Sequence, residues 1–336
     1  MRIAVFGSDR RVGLVREREI IDVNEAYAKF LAETGVPRWL AWSHAHVPAS
    51  LHEFIREGSR ALDCVQQAVD YLDTEAQDYT GPAGVPVRYA LDAVRLHPPV
   101  AAPDARFMMC FANFADHVRD HRRHRFGESL SIEEVTAGVR STGPAHFLKH
   151  VRTIVGPDDD VRRPARTERF DYEGEVAVVL GRSGRDVSVP DLADLVWGYV
   201  LVNDWSVRDY ANSARDFGYT KNFDTAASLG PWISVGEIPD PQDVPFSTTV
   251  NGAERQRGNT KDMIFGFAEM AEYLSRDLTL QPGDMISSGT PSGTAHDSSP
   301  LGSDGRALPE LFLQPGDEVE VASPAIGSLR NVVVKA

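Results

Sequence analysis

From residue 107 onward, the chain is a series of short apolar runs, each ended by glycine, proline or aspartate. The runs are FMMCFANF, EVAVVLG, WGYVLVND, GPWISVG, PFSTTVNG, DMISSGT, DEVEVASP and LRNVVVKA. Short apolar runs bounded by turn-forming residues are typical of β-strands. Two stretches between them, around residues 115–124 and 265–274, have helical spacing instead. The sequence therefore predicts a β-rich α+β domain.

The first hundred residues have a different character. Residues 1–30 alternate apolar and polar positions around the turn GSDRR, which predicts a β-hairpin region. Residues 50–75 place apolar side chains at helical spacing, with Ser50 as a candidate N-cap. The Pro- and Gly-rich runs TGPAGVP and HPPVAAPD follow. We therefore predict a small N-terminal α/β extension over residues 1–100 and the main domain over residues 101–336.

Composition and charge exclude several classes of protein. The chain has 336 residues, a net charge of -14 and no apolar run near the ~18 residues of a membrane span. Its acidic balance disfavours binding to nucleic acid or to anionic membranes. The N-terminus lacks the cleavage pattern of a signal peptide, and two cysteines, Cys64 and Cys110, predict free thiols in a reducing compartment. We expect a cytoplasmic protein without nucleic-acid or membrane partners.

Two glutamates, Glu173 and Glu175, begin the apolar run in FDYEGEVAVVLG. Alternate residues of a strand share a face, so these carboxylates are expected side by side. Neighbouring carboxylates repel unless a cation such as Mg²⁺ or Ca²⁺ lies between them. On this pattern alone a polar sheet edge is the simpler interpretation. A third acid would favour a metal, and the candidates are Asp204, at the end of WGYVLVND, and its competitor Asp209.

The segment ANFADHVRDHRRH carries His117, His121 and His124 on one helical face. Because arginines are interleaved with them, a solvated basic helix is the more economical interpretation for His121 and His124. His117 has Asp120 three residues later, and a carboxylate at that spacing can orient an imidazole that acts as a general base. A purely structural His–Asp contact is the alternative, and the spacing alone does not decide between them.

Cationic and hydroxyl side chains follow the acids in sequence. Those close behind Asp204 are Arg208, Arg215, Tyr219 and Lys221. They suit an anionic, carboxylate-bearing substrate, or they neutralise nearby acids. The turn GDMISSGTPSGTA places Thr290 where hydroxyl and backbone N–H groups could hold a carboxylate, but it lacks the lysine of a nucleotide-binding loop. The polar runs at 158–160 and 297–305 predict solvated loops.

Taken in order, six segments resemble motifs of the fumarylacetoacetate hydrolase family. They are NFADHVRD, DYEGEVAVVLG, GYVLVNDWSVRD, KNFDTAASLGPW, VNGAERQRGNTKDMIF and LQPGDMISSGTPSG, spread over residues 105–335. The resemblance implies the family's mixed β-sandwich roll, usually as a homodimer. It also implies a bound Mg²⁺, or Mn²⁺ or Ca²⁺ in some members. The N-terminal hundred residues carry little of the resemblance.

The resemblance also implies roles for individual residues. The metal ligands would be Glu173, Glu175 and Asp204, which favours Asp204 over Asp209. The matching catalytic residues are His117, Asp120 in place of the more common glutamate, and Lys221, which would steady a developing enolate. The expected substrate contacts are Arg208, Thr290, Tyr219 and, from the segment HFLKH, Lys149. Ala211 lies where the fumarylacetoacetate enzyme itself has a substrate-contacting glutamine, so that particular substrate is disfavoured.

Together these features predict a hydrolase that cleaves a C–C bond in a 1,3-diketone acid of the acylpyruvate type. His117 would deprotonate a water, and the products would be pyruvate and a carboxylic acid. One alternative is a decarboxylase, isomerase or dehydratase of a 2-oxo acid on the same scaffold. Another is a carboxylate-binding or metal-stabilised protein without catalysis. In every case the expected ligand is a small anionic keto acid.

Overall fold

The computed structural model describes residues 1–210, 216–303 and 307–336. Its strands are β1 Arg2–Phe6, β2 Arg11–Arg16, β3 Glu19–Asp22, β4 Arg88–Ala90, β5 Leu96–His97, β6 Phe107–Phe111, β7 Ala145–Lys149, β8 Ile154–Val155, β9 Asp160–Arg163, β10 Phe170–Asp171, β11 Gly174–Leu180, β12 Val196–Asp204, β13 Ser206–Val207, β14 Ala227–Ser234, β15 Pro245–Val250, β16 Ala253–Asn259, β17 Met285–Ser287, β18 Glu318–Ser323 and β19 Gly327–Lys335. Its α-helices are α1 Val23–Glu33, α2 Trp39–His46, α3 Leu51–Glu57, α4 Ser59–Thr74, α5 Ala115–Phe126, α6 Ile132–Thr142, α7 Leu192–Leu195, α8 Phe217–Thr220, α9 Phe267–Leu274 and α10 Ala295–Ser298.

The strands form two main sheets and a short ribbon. The larger sheet has the order β4-β3-β2-β1-β14-β12-β11-β17-β6-β7, with β5 beside β1 and β8 beside β14. The second sheet has the order β16-β15-β18-β19-β9. The ribbon pairs β10 with β13. Most pairings are antiparallel, and the parallel ones are β8 with β14, β6 with β17 and β9 with β19.

Strand β11 is the centre of the larger sheet and is buried on both faces. Its sequence, GEVAVVL, is a nearly continuous apolar run, as expected for a strand covered on both sides. Ala177 and Val179 pack into one hydrophobic cluster, whereas Val176 and Val178 pack into a second. The second cluster also contains Val321 of the smaller sheet, so the two sheets share a core. The predicted β-rich α+β class with a mixed sandwich of sheets is confirmed.

The N-terminal residues add strands to the same larger sheet. β1 pairs with β2 on one side and with β14 on the other, and its Ile3 lies opposite Ile233. One hydrophobic cluster combines side chains from α1, α3 and α4 with side chains from β11, β12 and β14. A domain boundary near residue 100 stays a prediction, because strands from both sides share one sheet and one core.

Three local predictions needed correction. The first thirty residues form three strands and then α1, whose start is fixed by Asp22 accepting a hydrogen bond from the Glu25 N–H. The helical stretch at 50–75 is two helices, since Gly58 adopts a φ of 60° that interrupts the helix. Helix α6 was not predicted, although Ser131 and Glu134 form a capping box at its start.

The structure bears on two of the sequence-based predictions, the state of the cysteines and the presence of membrane-spanning helices. Cys64 and Cys110 are both free thiols and both buried. In the part of the chain that the structure describes, there is no helix whose length and hydropathy would let it cross a bilayer.

Candidate active site

The three predicted metal ligands converge at the ends of two neighbouring central strands. Glu173 directly precedes β11, Glu175 is the second residue of β11, and Asp204 is the last residue of β12. β11 and β12 pair antiparallel with Gly174 opposite Asn203, which brings these ends together. One oxygen from each carboxylate lies within 4.8 Å of the others, and all three residues are buried. A solvated polar sheet edge, the simpler interpretation of the Glu-x-Glu pattern, is therefore wrong.

The residue between the two glutamates has to be glycine. A Cβ on Gly174 would lie 2.1 Å from Thr248 Oγ1, which is far inside van der Waals contact. The Gly174 N–H donates to Gln256 Oε1 at 3.0 Å, and its carbonyl accepts from Thr290 Oγ1 at 2.9 Å. Gln256 Nε2 in turn donates to Thr290 Oγ1 at 2.8 Å. These bonds fix the backbone that carries both glutamates.

Lys149 and Lys221 form ion pairs with two of the three acids, Asp204 and Glu173. Lys149 Nζ donates to Asp204 Oδ1 at 2.7 Å and to the carbonyls of Lys221 and Ala226. Lys221 Nζ donates to Glu173 Oε2 and Asp204 Oδ2, both at 2.7 Å, and to a serine hydroxyl on β13. Since an ammonium has three donors, both lysines are fully hydrogen-bonded. A substrate contact by Lys149 would require it to give up one of these bonds.

Arg208 bridges two of the local carboxylates. Its Nε donates to Asp171 Oδ2 at 3.0 Å, and its NH2 group donates to Glu173 Oε1 at 2.5 Å. Asp171 also accepts from the backbone N–H groups of Ala295 and His296, at 2.8 and 3.1 Å. This buried carboxylate was not singled out from the sequence. It ties the start of α10 to the strand that carries the acids.

The charges around the acids affect the two glutamates in opposite directions. Burial disfavours ionised Glu173, but Lys221 and Arg208 outweigh it and hold the pKa of Glu173 well below its usual range. Burial and the charges of Asp204 and Glu173 raise the pKa of Glu175 well above its usual range. Glu175 Oε2 has no hydrogen-bond partner among the described residues. Three clustered carboxylates with a buried, unpartnered oxygen fit a hard divalent cation.

His117 is paired with an aspartate, but not the one that the spacing suggested. Its Nδ1 lies 2.7 Å from Asp297 Oδ2, with Asp297 on α10. Asp120 instead accepts hydrogen bonds from Arg119 at 3.0 Å and from Ser292 Oγ at 2.6 Å. The predicted His117–Asp120 pair is therefore wrong, because the Asp120 carboxylate turns toward these partners. The prediction of a solvated loop at Asp297 is also wrong, since this side chain is buried.

The pairing with Asp297 changes the protonation of His117. Burial lowers the pKa of the imidazole, but the charge and hydrogen bond of Asp297 and the charge of Glu173 outweigh burial. The net result is that the pKa of His117 is raised above its ordinary value. The other ring nitrogen, Nε2, then remains for a water or a substrate, as in a base oriented by a carboxylate.

The remaining predicted site residues have other contacts or lie outside the described residues. The Thr290 hydroxyl uses its single donor on the Gly174 carbonyl. Tyr219 is half exposed, accepts a hydrogen bond from Arg166 at 2.6 Å and stacks on Tyr210. Asp209 accepts from Thr167 and from the Glu168 N–H rather than joining the acids. Ala211 and Arg215 lie outside the described residues.

The fold is similar to that of solved structures of the fumarylacetoacetate hydrolase family. The family model described as "Fumarylacetoacetate (FAA) hydrolase C-terminal" matches residues 106–334. The chain belongs to this family.

Individual relatives cover nearly the whole chain. Oxaloacetate tautomerase YisK of Bacillus subtilis (strain 168) is 33% identical over 326 residues, which is 96% of this chain and 95% of that protein. Maleylpyruvate hydrolase from Sphingobium sp. SYK-6, in complex with manganese (II) ion and pyruvate, has a TM-score of 0.68, 26% identity and full coverage of both chains. The fumarylacetoacetate hydrolase of Exiguobacterium antarcticum has a TM-score of 0.70, 29% identity and full coverage of both chains. The chain is thus similar to enzymes that act on keto acids.

Proposed function

We propose that the protein is a metal-dependent hydrolase that cleaves a C–C bond in a 1,3-diketone acid of the acylpyruvate type. The observation that carries this proposal is the 2.7 Å contact between His117 Nδ1 and Asp297 Oδ2. A hydrolase needs a base for its attacking water, and an imidazole oriented by a buried carboxylate is such a base. The similarity to a maleylpyruvate hydrolase supports the same class of reaction.

The charges of the centre favour an anionic keto acid as substrate. Four clustered carboxylates, those of the three acids and of Asp171, face the three cations Lys149, Lys221 and Arg208. With a divalent cation added, this group of side chains would carry one net positive charge. The carboxylate of a 2-keto acid would neutralise it.

The residues that would hold the metal are Glu173, Glu175 and Asp204, and oxygen ligands suit Mg²⁺, Mn²⁺ or Ca²⁺. The similarity to a hydrolase in complex with manganese (II) makes Mn²⁺ the first ion to test. When bound, such an ion supplies Lewis-acid polarisation of the keto-carboxylate group.

The side chains have distinct proposed tasks. His117 would take a proton from a water that attacks the carbonyl farther from the carboxylate, and Asp297 would stabilise the resulting imidazolium. Attack on that carbonyl followed by C–C cleavage expels the enolate of pyruvate. Lys221 would exchange one of its three present hydrogen bonds for one to this enolate, whose charge is larger in the transition state than in the ground state. Arg208 would hold Glu173 and Asp171 in place throughout.

A second candidate is tautomerisation of a 2-oxo diacid. It is favoured by the 33% identity to an oxaloacetate tautomerase over 96% of this chain. Such a reaction moves a proton between carbon and oxygen and needs no attacking water, so His117 would act on a C–H bond instead.

The two candidates differ in their products. Mn²⁺-loaded protein would be incubated with acetylpyruvate, fumarylpyruvate and oxaloacetate. Cleavage products would be identified by mass, and keto–enol conversion of oxaloacetate, which leaves the mass unchanged, would be followed by ultraviolet absorbance. Release of pyruvate together with the matching carboxylic acid, abolished by chelation, is the result expected of the hydrolase. Keto–enol conversion of oxaloacetate without cleavage of either acylpyruvate would refute the hydrolase and support the tautomerase.

A further inference from the structure

Next to the proposed base lies a cluster of histidines for which the hydrolytic mechanism has no use. His121 and His124 lie one and two turns beyond His117 on α5, and His296 lies on α10. The ring centroids of His117 and His121 are 6.3 Å apart, those of His121 and His296 are 4.9 Å apart, and those of His124 and His296 are 5.9 Å apart. The sequence-based interpretation of His121 and His124 as part of a solvated basic helix needs correction: Arg122 and Arg123 are exposed as expected, but both histidines are half-buried and pack against His296.

The hydrogen-bonding capacity of this cluster is incompletely used. Both ring nitrogens of His296 are buried without a hydrogen-bond partner among the described residues, and so is His124 Nδ1. A neutral imidazole carries one N–H donor and one acceptor, and burying either without a partner is costly. An unpartnered ring this close to a catalytic base is explained most simply by a ligand that supplies the partner.

The surroundings of His296 select the charge of that ligand. Burial is the main reason that the pKa of His296 is lowered, to about 2, and the positive charges of Arg208 and the neighbouring histidines lower it further. The ring is thus neutral and can donate one N–H; the cations near it are Arg208 and the other histidines, and the nearby carboxylates of Asp171 and Asp297 already accept from Arg208 and His117. Such surroundings attract an anion and repel a second metal ion. In keeping with this, the only cluster of potential metal ligands among the described residues is the three acids.

The position of the cluster indicates which part of a substrate would reach it. The His296 backbone N–H donates to Asp171, and Asp171 also accepts from Arg208, which contacts Glu173. The keto-carboxylate end of the proposed substrate belongs beside the acids, and the attacked carbonyl belongs beside His117. A group beyond that carbonyl would then face His121 and His296.

We propose that His121, His124 and His296 form a second anion subsite that receives a carboxylate at the far end of the acyl group. This inference rests on the proposed function and narrows its substrate class to acylpyruvates whose acyl group is itself a carboxylic acid. The N–H of His296 donates to that carboxylate, and His121 and His124 flank it. Acids with an apolar acyl end leave the His296 nitrogens unpartnered and bind more weakly.

The test uses ligands that cannot be cleaved, so it does not depend on catalysis. Mn²⁺-loaded protein would be titrated calorimetrically with 2-oxoheptanedioate and with 2-oxoheptanoate, which differ only in the distal carboxylate. We expect the diacid to bind more tightly, and we expect His296→Leu, which removes both ring nitrogens, to reduce this preference about tenfold, the size of one charge-assisted hydrogen bond. The matched control is Arg122→Gln, which removes an exposed charge from α5, the helix of His121 and His124, and should preserve the preference.

Two results would overturn the subsite: no preference for the diacid in the unmodified protein, or the same preference in His296→Leu. An equal loss in Arg122→Gln would also overturn it, since the preference would then come from the general charge of α5. Binding of the monoacid to each variant verifies that the variant is folded. If the proposed hydrolase function were wrong but the subsite existed, no acylpyruvate would be cleaved, and the protein would still bind the diacid more tightly than the monoacid.

Discussion

Asp297 holds His117 across the active site, with Oδ2 2.7 Å from Nδ1 and 180 residues of chain between them. Asp120, on the same helix as His117, is hydrogen-bonded to Arg119 and Ser292 instead. The orientation of the proposed base therefore depends on α10, which packs on α5, and not on the helix that carries His117.

Replacing Asp297 by asparagine should abolish most of the activity. The amide cannot stabilise an imidazolium, so kcat should fall about 100-fold or more, with a smaller change in KM. The matched variant Asp120→Asn removes a carboxylate that does not contact His117, and kcat should fall by less than about threefold. Steady-state kinetics on the cleaved acylpyruvate would measure both. The opposite order of effects would show that Asp120 moves to His117 when substrate binds.

The pH profile should follow the raised pKa of His117. A base works when deprotonated, so kcat/KM should rise with pH through a pKa above the ordinary 6.5 of histidine. In Asp297→Asn the raising charge is lost, and the residual activity should begin its rise at lower pH. The stability gained from this pair is fully present below pH 6.5 and is lost as pH rises through the raised pKa. An unchanged acidic limb in Asp297→Asn would contradict this assignment.

Metal binding should depend on Asp204 and not on Asp209. Binding to the folded protein should stabilise it by about 2.7 kcal/mol at a free metal concentration 100 times Kd, which raises Tm. Asp204→Asn should remove this Mn²⁺-dependent rise. Asp209→Asn should retain it, because that carboxylate binds Thr167 and the Glu168 N–H. Thermal unfolding with Mn²⁺ and with a chelator measures both, and a lost response in Asp209→Asn would refute the assignment.

The buried Lys149–Asp204 pair should be important for stability. Both side chains are essentially inaccessible, at 0% and 1% exposure, and Lys149→Met would remove the hydrogen bond to Asp204 Oδ1 and those to two backbone carbonyls. Breaking one side of a buried pair costs about 3–5 kcal/mol. The exposed Lys261, 4.0 Å from Asp243, is the control, and Lys261→Met should change the free energy of unfolding by less than about 0.5 kcal/mol. Urea denaturation of metal-free protein would compare them, and equal effects would contradict the argument.

The strands and the acid cluster were the predictable parts of this protein. Alternation along a strand places Glu173 and Glu175 on one face, and the apolar run before Asp204 identifies the neighbouring strand. Helix α1 was missed although its apolar residues have helical spacing, because it begins directly after β3 with no Gly or Pro between them. Strand β16, AERQRGN, was missed because its side chains are mostly polar and exposed.

The second half of the catalytic pair could not be predicted from local spacing. Asp297 lies in a polar run that has the composition of a surface loop, and its contact with His117 exists only after α10 has packed on α5. His296 is hidden for the same reason. The family motif ends just before both residues, at GTPSG, so a search of the following turn for acids and imidazoles would have raised them as candidates. The expected homodimer and cytoplasmic location stay predictions.

Asp171 holds two parts of the proposed active site in place. This one carboxylate fixes Arg208, and through it Glu173, and it also fixes the first turn of the helix that carries His296 and Asp297. Glu173 and Asp297 are thereby positioned through one carboxylate on β10, whereas His121 and His124 lie on the outer turns of α5. Substitutions on the outer turns of α5 could therefore change which acyl groups the proposed site prefers. The residues around the three acids would stay unchanged.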